Sequence, residues 1–127
     1  MKYLLDTHVA KWALDDATKL SDTAKLIISD TSLHLCVSLV SAWEIAIKIS
    51  VGKLSFAGGS AFFIDKLHQF GVEILHVEST HIETVESLPL IHRDPFDRIL
   101  ISTAITDSMT LITADENIHK YDVPWIW

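Results

Sequence analysis

Short apolar runs alternate with longer amphipathic stretches along the whole chain, and this rhythm leaves few folds open. Residues 2–5 read as a strand and residues 9–15 as a helix. Ser21-Asp22 opens a second helix, whose apolar stripe is Ala24, Leu26, Ile27 and Ile28. Residues 33–37 predict a strand, and residues 40–51 a helix that stops at Gly52. Phe62, Phe63, Leu67 and Phe70 recur at helical spacing over residues 59–70, ahead of Gly71. A strand at 72–75 and a short helix at 80–87, closed by Leu88-Pro89, follow. Asp94-Pro95 starts a helix that runs to about residue 107, with proline at the first helical position, where its missing N–H does no harm. Residues 110–113 predict a strand, residues 115–119 a turn of helix, and residues 123–126 a terminal strand whose Pro124 suits a sheet edge. Strands alternating with helices form βαβ crossovers, so the expected fold is a small α/β sandwich with a parallel sheet and helices on both faces.

The chain has 127 residues, 49% apolar and 21% charged, which suits one folded domain spanning residues 1–127 with a proper core. No run approaches ~20 consecutive apolar residues, so no transmembrane helix is expected. The amino terminus is too short an apolar run for a secretory signal and reaches Asp6 at once. Cys36 is the sole cysteine and lies in an apolar run, which reads as a core residue in a reducing, cytoplasmic setting. The net charge of −7 argues against a protein that holds nucleic acid by bulk electrostatics. A nucleic-acid substrate would have to be held by a few local cations and by metal ions.

In a parallel sheet, the carboxyl ends of the strands and the amino ends of the returning helices share one edge, where ligands bind. Asp6 directly follows the first strand. Glu44 lies in the first turns of the helix after the strand at 33–37. Asp97 lies in the first turn of the helix that feeds the strand at 110–113, and Asp115 falls two residues beyond that strand. Four acids from four segments therefore converge. Two unit charges ~5 Å apart repel by roughly 3 kcal/mol at an effective dielectric of about 20, and four charges make several such pairs. A divalent cation removes the conflict, and oxygen-only ligands favour Mg2+ or Mn2+ over zinc. Such a site can bind one or two ions, activate a water and neutralise charge building on a phosphodiester.

Each acid also has an ordinary explanation. Ser41-Ala42-Trp43-Glu44 fits a capping box, and Glu44 with Lys48 has the spacing of a helix ion pair. Asp94 reads as an N-cap, Asp97 as an acid favoured by the helix dipole, and Asp115 as the cap of the helix after it. Asp6, a charge ending a buried strand, has no routine capping job. The histidines show no metal pattern; His92-Arg93 reads as an exposed loop that could face the site edge. Lys48, Lys53 and Arg98 are candidate phosphate contacts, with carboxylate pairing or plain surface charge as the default. The four tryptophans, Trp12, Trp43, Trp125 and Trp127, read mostly as core or interface material and not as base-stacking platforms.

Tyr3-Leu4-Leu5-Asp6-Thr7, Ser41-Ala42-Trp43-Glu44-Ile45, Asp94-Pro95-Phe96-Asp97-Arg98 and Leu111-Ile112-Thr113-Ala114-Asp115 occur in order along the chain. Together they resemble the PIN-domain ribonucleases, nearest to the VapC-like toxins of toxin–antitoxin modules, over essentially the whole length. The resemblance implies a three-layer sandwich with a central parallel sheet of about five strands. It also implies Mg2+- or Mn2+-dependent cleavage of single-stranded regions of RNA, a homodimer or higher oligomer, and inhibition by a cognate antitoxin. The family's acidic quartet falls on Asp6, Glu44, Asp97 and Asp115; Thr113, Thr7 and Ser41 match hydroxyl positions lining it. Two other readings stand beside it: a non-catalytic interaction module on the same fold, and a Mg2+-binding receiver-like phosphoacceptor. The apolar helices at 24–28 and 61–70 would suit a dimer or antitoxin surface.

Overall fold

The computed structural model describes residues 1–127. In chain order it contains β1 (Lys2–Leu5), α1 (Thr7–Asp15), a single 3-10 turn (Ala17–Lys19), α2 (Asp22–Ser29), β2 (His34–Ser38), α3 (Leu39–Ser50) and α4 (Gly59–Gln69). There follow β3 (Glu73–Leu75), α5 (Ser79–Ser87), α6 (Pro95–Thr106), β4 (Thr110–Ile112), α7 (Glu116–His119) and β5 (Trp125–Ile126). The five strands form one sheet in the order β3-β2-β1-β4-β5, every pair parallel. The expected three-layer α/β sandwich with a five-stranded parallel sheet is the fold observed.

The period-two alternation of side chains along the strands creates the two cores. Tyr3, Leu5, Leu35, Val37 and Ile112 face one side, where Val9 and Ala10 of α1, Ala24 of α2, Ala42 and Ile45 of α3, and Phe63 and Leu67 of α4 cover them. Leu4, Cys36 and Leu111 face the other side and meet Leu100, Ile101 and Ala104 of α6 and Ile118 of α7. Burial on both faces explains why the strands read as near-continuous apolar runs. His81 is a core histidine: its Nδ1 accepts from the Glu78 N–H at 3.0 Å and its Nε2 lies 2.9 Å from Asp107, tying α5 to the end of α6.

Most element boundaries fall within two residues of those expected, and the differences have local causes. Ser38, not a later residue, caps α3: its Oγ accepts from the Val40 N–H at 3.2 Å, so that helix starts at Leu39. The terminal strand shrinks to Trp125–Ile126 because Pro124 has no N–H to give; its carbonyl still accepts from Leu111 at 2.9 Å, and the strand lies at the sheet edge.

Strand order positions the site. From β1 the chain builds outward through β2 to β3, then crosses back over α5 and α6 to β4 on the far side of β1. The connections leaving β1 and β4 therefore run in opposite directions, and a crevice opens beyond their carboxyl ends. The Asp6 N–H donates to the Ile112 carbonyl at 3.0 Å, closing the sheet directly beneath that crevice.

Candidate active site

A cleft of about 490 Å3 occupies this switch point, and its walls include Asp6, His8, Trp12, Glu44, Lys48, His92, Asp94, Asp97 and Asp115. All four acids singled out from the sequence line it. Asp6 stands at the N-cap position of α1 but caps nothing with its side chain. Its Oδ2 instead accepts from Thr113 Oγ1 at 2.8 Å, and that hydroxyl oxygen accepts in turn from the Asp115 N–H at 3.1 Å. One buried threonine thus fixes two acids from β1 and β4. Asp115 also caps α7, accepting from the Asn117 N–H at 2.8 Å, so both explanations for it hold at once.

The capping-box explanation of Glu44 fails. Because α3 begins at Leu39, Glu44 sits in the second turn and reaches into the cleft, buried to 2% exposure. Its Oε2 holds Lys48 Nζ at 2.5 Å, while Oε1 is buried with no hydrogen-bond partner. An unpaired buried carboxylate oxygen is costly, so this one stands out among the polar atoms of the cleft. Asp94 caps α6 through its Oδ1, accepting from the N–H groups of Phe96 at 2.8 Å and Asp97 at 3.2 Å. Asp97 is then carried on the first turn, with His92 Nε2 2.9 Å from its Oδ2.

The electrostatics agree with a crowded acidic site. Burial, with the charges of Asp6, Asp94, Glu44 and Asp115 behind it, pushes the Asp97 carboxyl up to about 8. Burial also raises Asp6, against the opposing pull of its Thr113 hydrogen bond and of His8. At Lys48 burial disfavours the ammonium, yet the hydrogen bond and charge of Glu44 leave it above its ordinary value.

Other expected contacts fall elsewhere. Thr7 and Ser41 are buried and spent on each other, Thr7 Oγ1 donating to Ser41 Oγ at 2.8 Å, so they bind α1 to α3 beneath the cleft. Thr113 is equally buried and positions acids instead of presenting a hydroxyl. Arg98 turns away: its guanidinium donates to the carbonyls of Pro89 at 2.9 Å and Val85 at 3.2 Å and to Tyr121 Oη at 3.1 Å. Tyr121 Oη in turn accepts from the His92 N–H at 2.9 Å, so Arg98 braces the loop that carries His92. Arg98→Ala is expected to lower stability by about 1–3 kcal/mol in denaturant unfolding; an unchanged midpoint would refute this bracing role. Of the candidate phosphate contacts, Lys48 alone lines the cleft.

The PIN domain model matches residues 3–124. The chain belongs to the PIN-domain family. It is 27% identical over 122 residues to ribonuclease VapC22 of Mycobacterium tuberculosis, covering 95% of this chain and 92% of that protein. VapBC2 of Rickettsia felis, solved bound to a DNA fragment from its promoter, shares the fold with a TM-score of 0.73 at 16% identity, over 100% of this chain and 99% of that one. The DNA-bound VapBC of Salmonella typhimurium gives a TM-score of 0.69 at 15% identity, over 99% and 97%. The PIN fold thus accounts for the sheet order that gathers these acids.

Two residues of the cleft were not anticipated, and a third was read only as an exposed loop residue that could face the site edge. That third residue, His92, does lie in a loop but is half-buried, and with Asp94 and Asp97 it brings one donor atom each to within 4.8 Å of one another. His8 and Trp12 also line the cleft; their four-residue spacing straight after Asp6 is a signal the sequence carries, since it places both on one face of α1. Trp43, expected in a core or interface, is exposed and meets Phe96 edge-on at 5.2 Å.

Proposed function

We propose that the chain is a Mg2+- or Mn2+-dependent endoribonuclease that acts in the cytoplasm as the toxin of a toxin–antitoxin pair. The observation that carries this reading is the buried, unpartnered Oε1 of Glu44 in a cleft shared with Asp6, Asp97 and Asp115. Oxygen donors of this kind fit a hard divalent cation, and Asp6, Glu44, Asp97 and Asp115 would hold it. When bound, such an ion supplies a nucleophilic water at neutral pH and offsets charge on the phosphodiester.

The chain's own residues prepare that chemistry. Thr113 holds Asp6 and Asp115 in fixed relation, which pre-organises two oxygen donors from separate strands. His92 orients Asp97, and the proton that Asp97 retains lowers the repulsion among the acids of the cleft. Lys48, pinned by Glu44 at the cleft wall, is placed to meet a phosphate oxygen. The ribonuclease name of the mycobacterial relative and the VapBC names of the structural neighbours support RNA as substrate and a protein antitoxin as partner. Exposed apolar side chains, Leu26 on α2 and Phe62 on α4, offer surface for the antitoxin, and Leu39, Trp43 and Ile47 along α3, with Val51 just past its end, offer surface for a homodimer or higher oligomer.

The test is incubation of the purified protein with cellular RNA and Mg2+ or Mn2+. Cleavage is expected with either ion, and EDTA or Asp6→Asn is expected to reduce it by roughly 100-fold or more. Absence of metal-dependent cleavage in the unaltered protein overturns the proposal.

A further inference from the structure

The cleft has one wall that the acids do not explain. His8 and Trp12 project from α1 into it, with ring centroids 5.9 Å apart. His8 is exposed, and Trp12 is half-buried and backed by Trp127 at 6.2 Å. The Lys19 ammonium lies over the Trp12 ring, 5.9 Å from its centroid, and is held by Asp16 only at 4.0 Å, so an incoming base would displace it towards the nucleotide's backbone. The opposite wall is polar and already engaged: Lys48 is paired with Glu44, and His92 with Asp97. Even with a divalent ion among the five carboxyl groups, a polyanion entering here meets few free cations in a protein of net charge −7, so phosphate contacts with side chains cannot supply most of its affinity. Aromatic faces can, because every nucleobase has a π-face that stacks without regard to sequence. Stacking of this kind requires an unpaired base, since the faces of a paired base are covered by its neighbours in the helix.

We infer that His8 and Trp12 form a stacking subsite for an unpaired RNA base next to the phosphate at the acidic cleft, with Lys19 meeting that nucleotide's backbone. The inference rests on the ribonuclease reading for its ligand and adds the residues that select unpaired strands. Trp12 packs against Trp127, and His8 stands exposed beside it.

Binding is measured by fluorescence anisotropy with labelled oligo-A, oligo-C and oligo-U and with an oligo-A:oligo-U duplex, Ca2+ replacing the reactive metals. Trp12→Leu and His8→Ala are each expected to weaken single-strand binding about 5–100-fold, the worth of one base–aromatic stack, and Trp12→Phe is expected to restore it to within about threefold. The duplex should bind more weakly than its separate strands. Equal binding by unaltered protein, Trp12→Leu and His8→Ala overturns the inference, as does tighter binding of duplex or no binding of any single strand. Trp12 also packs against Trp127; His8→Ala, at an exposed position, separates lost stacking from a disturbed fold. Cleavage of cellular RNA by the unaltered protein is scored in parallel. If it cuts RNA but the variants bind as it does, the subsite fails alone; if it cuts nothing, the ribonuclease reading fails.

Discussion

Asp97→Asn is expected to make the metal-free protein more stable while abolishing the RNA cleavage proposed for it. The buried carboxyl of Asp97 is pushed up to about 8 by desolvation and by four neighbouring acids, against about 4 in an unfolded chain. Between those two values the folded state keeps a proton that the unfolded state has lost. Stability contributed by a group with more protons bound when folded falls as pH rises, so wild-type stability should drop across this window and level off above about 8. Asparagine has the shape of the protonated acid and no charge to suppress. The variant should therefore gain a few kcal/mol, or roughly 5–10 °C in melting temperature at pH 8, and the gain should shrink towards pH 5. Thermal melts of both proteins in EDTA across this range test it. A variant that melts below wild type at pH 8 would show that Asp97 stabilises the fold, contrary to the strain argued here. Gain of stability with loss of activity is the signature of a residue kept for function.

Metal binding by the wild-type protein should be strongly pH-dependent for the same reason. An ion held as proposed takes the Asp97 carboxylate, so below about 8 it would have to displace a proton, and each pH unit of acidification should weaken apparent affinity about tenfold. Mn2+ titrated calorimetrically should bind roughly 50-fold more weakly at pH 6 than at pH 8, with close to one proton released per ion at pH 6, as read from the buffer dependence of the heat. Asp97→Asn should bind weakly and with little pH dependence over this range. Tight, pH-independent binding by the wild type would mean that Asp97 is not a ligand. On the proposed reading the buried Oε1 of Glu44 would be a further donor to the ion, so Mn2+ should also raise the melting temperature most at alkaline pH.

How much of this was legible beforehand differs between fold and site. The layer architecture could be read because apolar periodicity and turn residues are local properties: Leu4 and Leu5 face opposite cores by strand pleat alone, and Pro95 marks the start of α6 by its missing N–H. The acids could be placed because parallel crossovers force strand ends and helix starts to one edge, and Asp6, Glu44, Asp97 and Asp115 do line one cleft there. Glu44 was the hardest to read, since its spacing from Ser41 suited a cap. One residue of uncertainty in where α3 starts decides whether that glutamate closes a helix end or enters the cleft.

Side-chain partners were beyond reach. Arg98 adjoins Asp97 in sequence but leaves the cleft, because Tyr121 and the carbonyls of Pro89 and Val85 capture its guanidinium from segments distant along the chain. His92 enters it because Tyr121 holds its loop. Thr7 and Ser41 match hydroxyl positions of a site but are spent on each other. The sequence by itself determined the sheet, its two apolar faces and the edge at which the acids gather, for these follow from periodicity and chain direction. Tertiary structure alone decided which oxygens are left without a partner, which cation stays in the cleft and which aromatic rings wall it. Those outcomes depend on contacts between remote segments, where a shift of a few ångströms makes or removes a hydrogen bond.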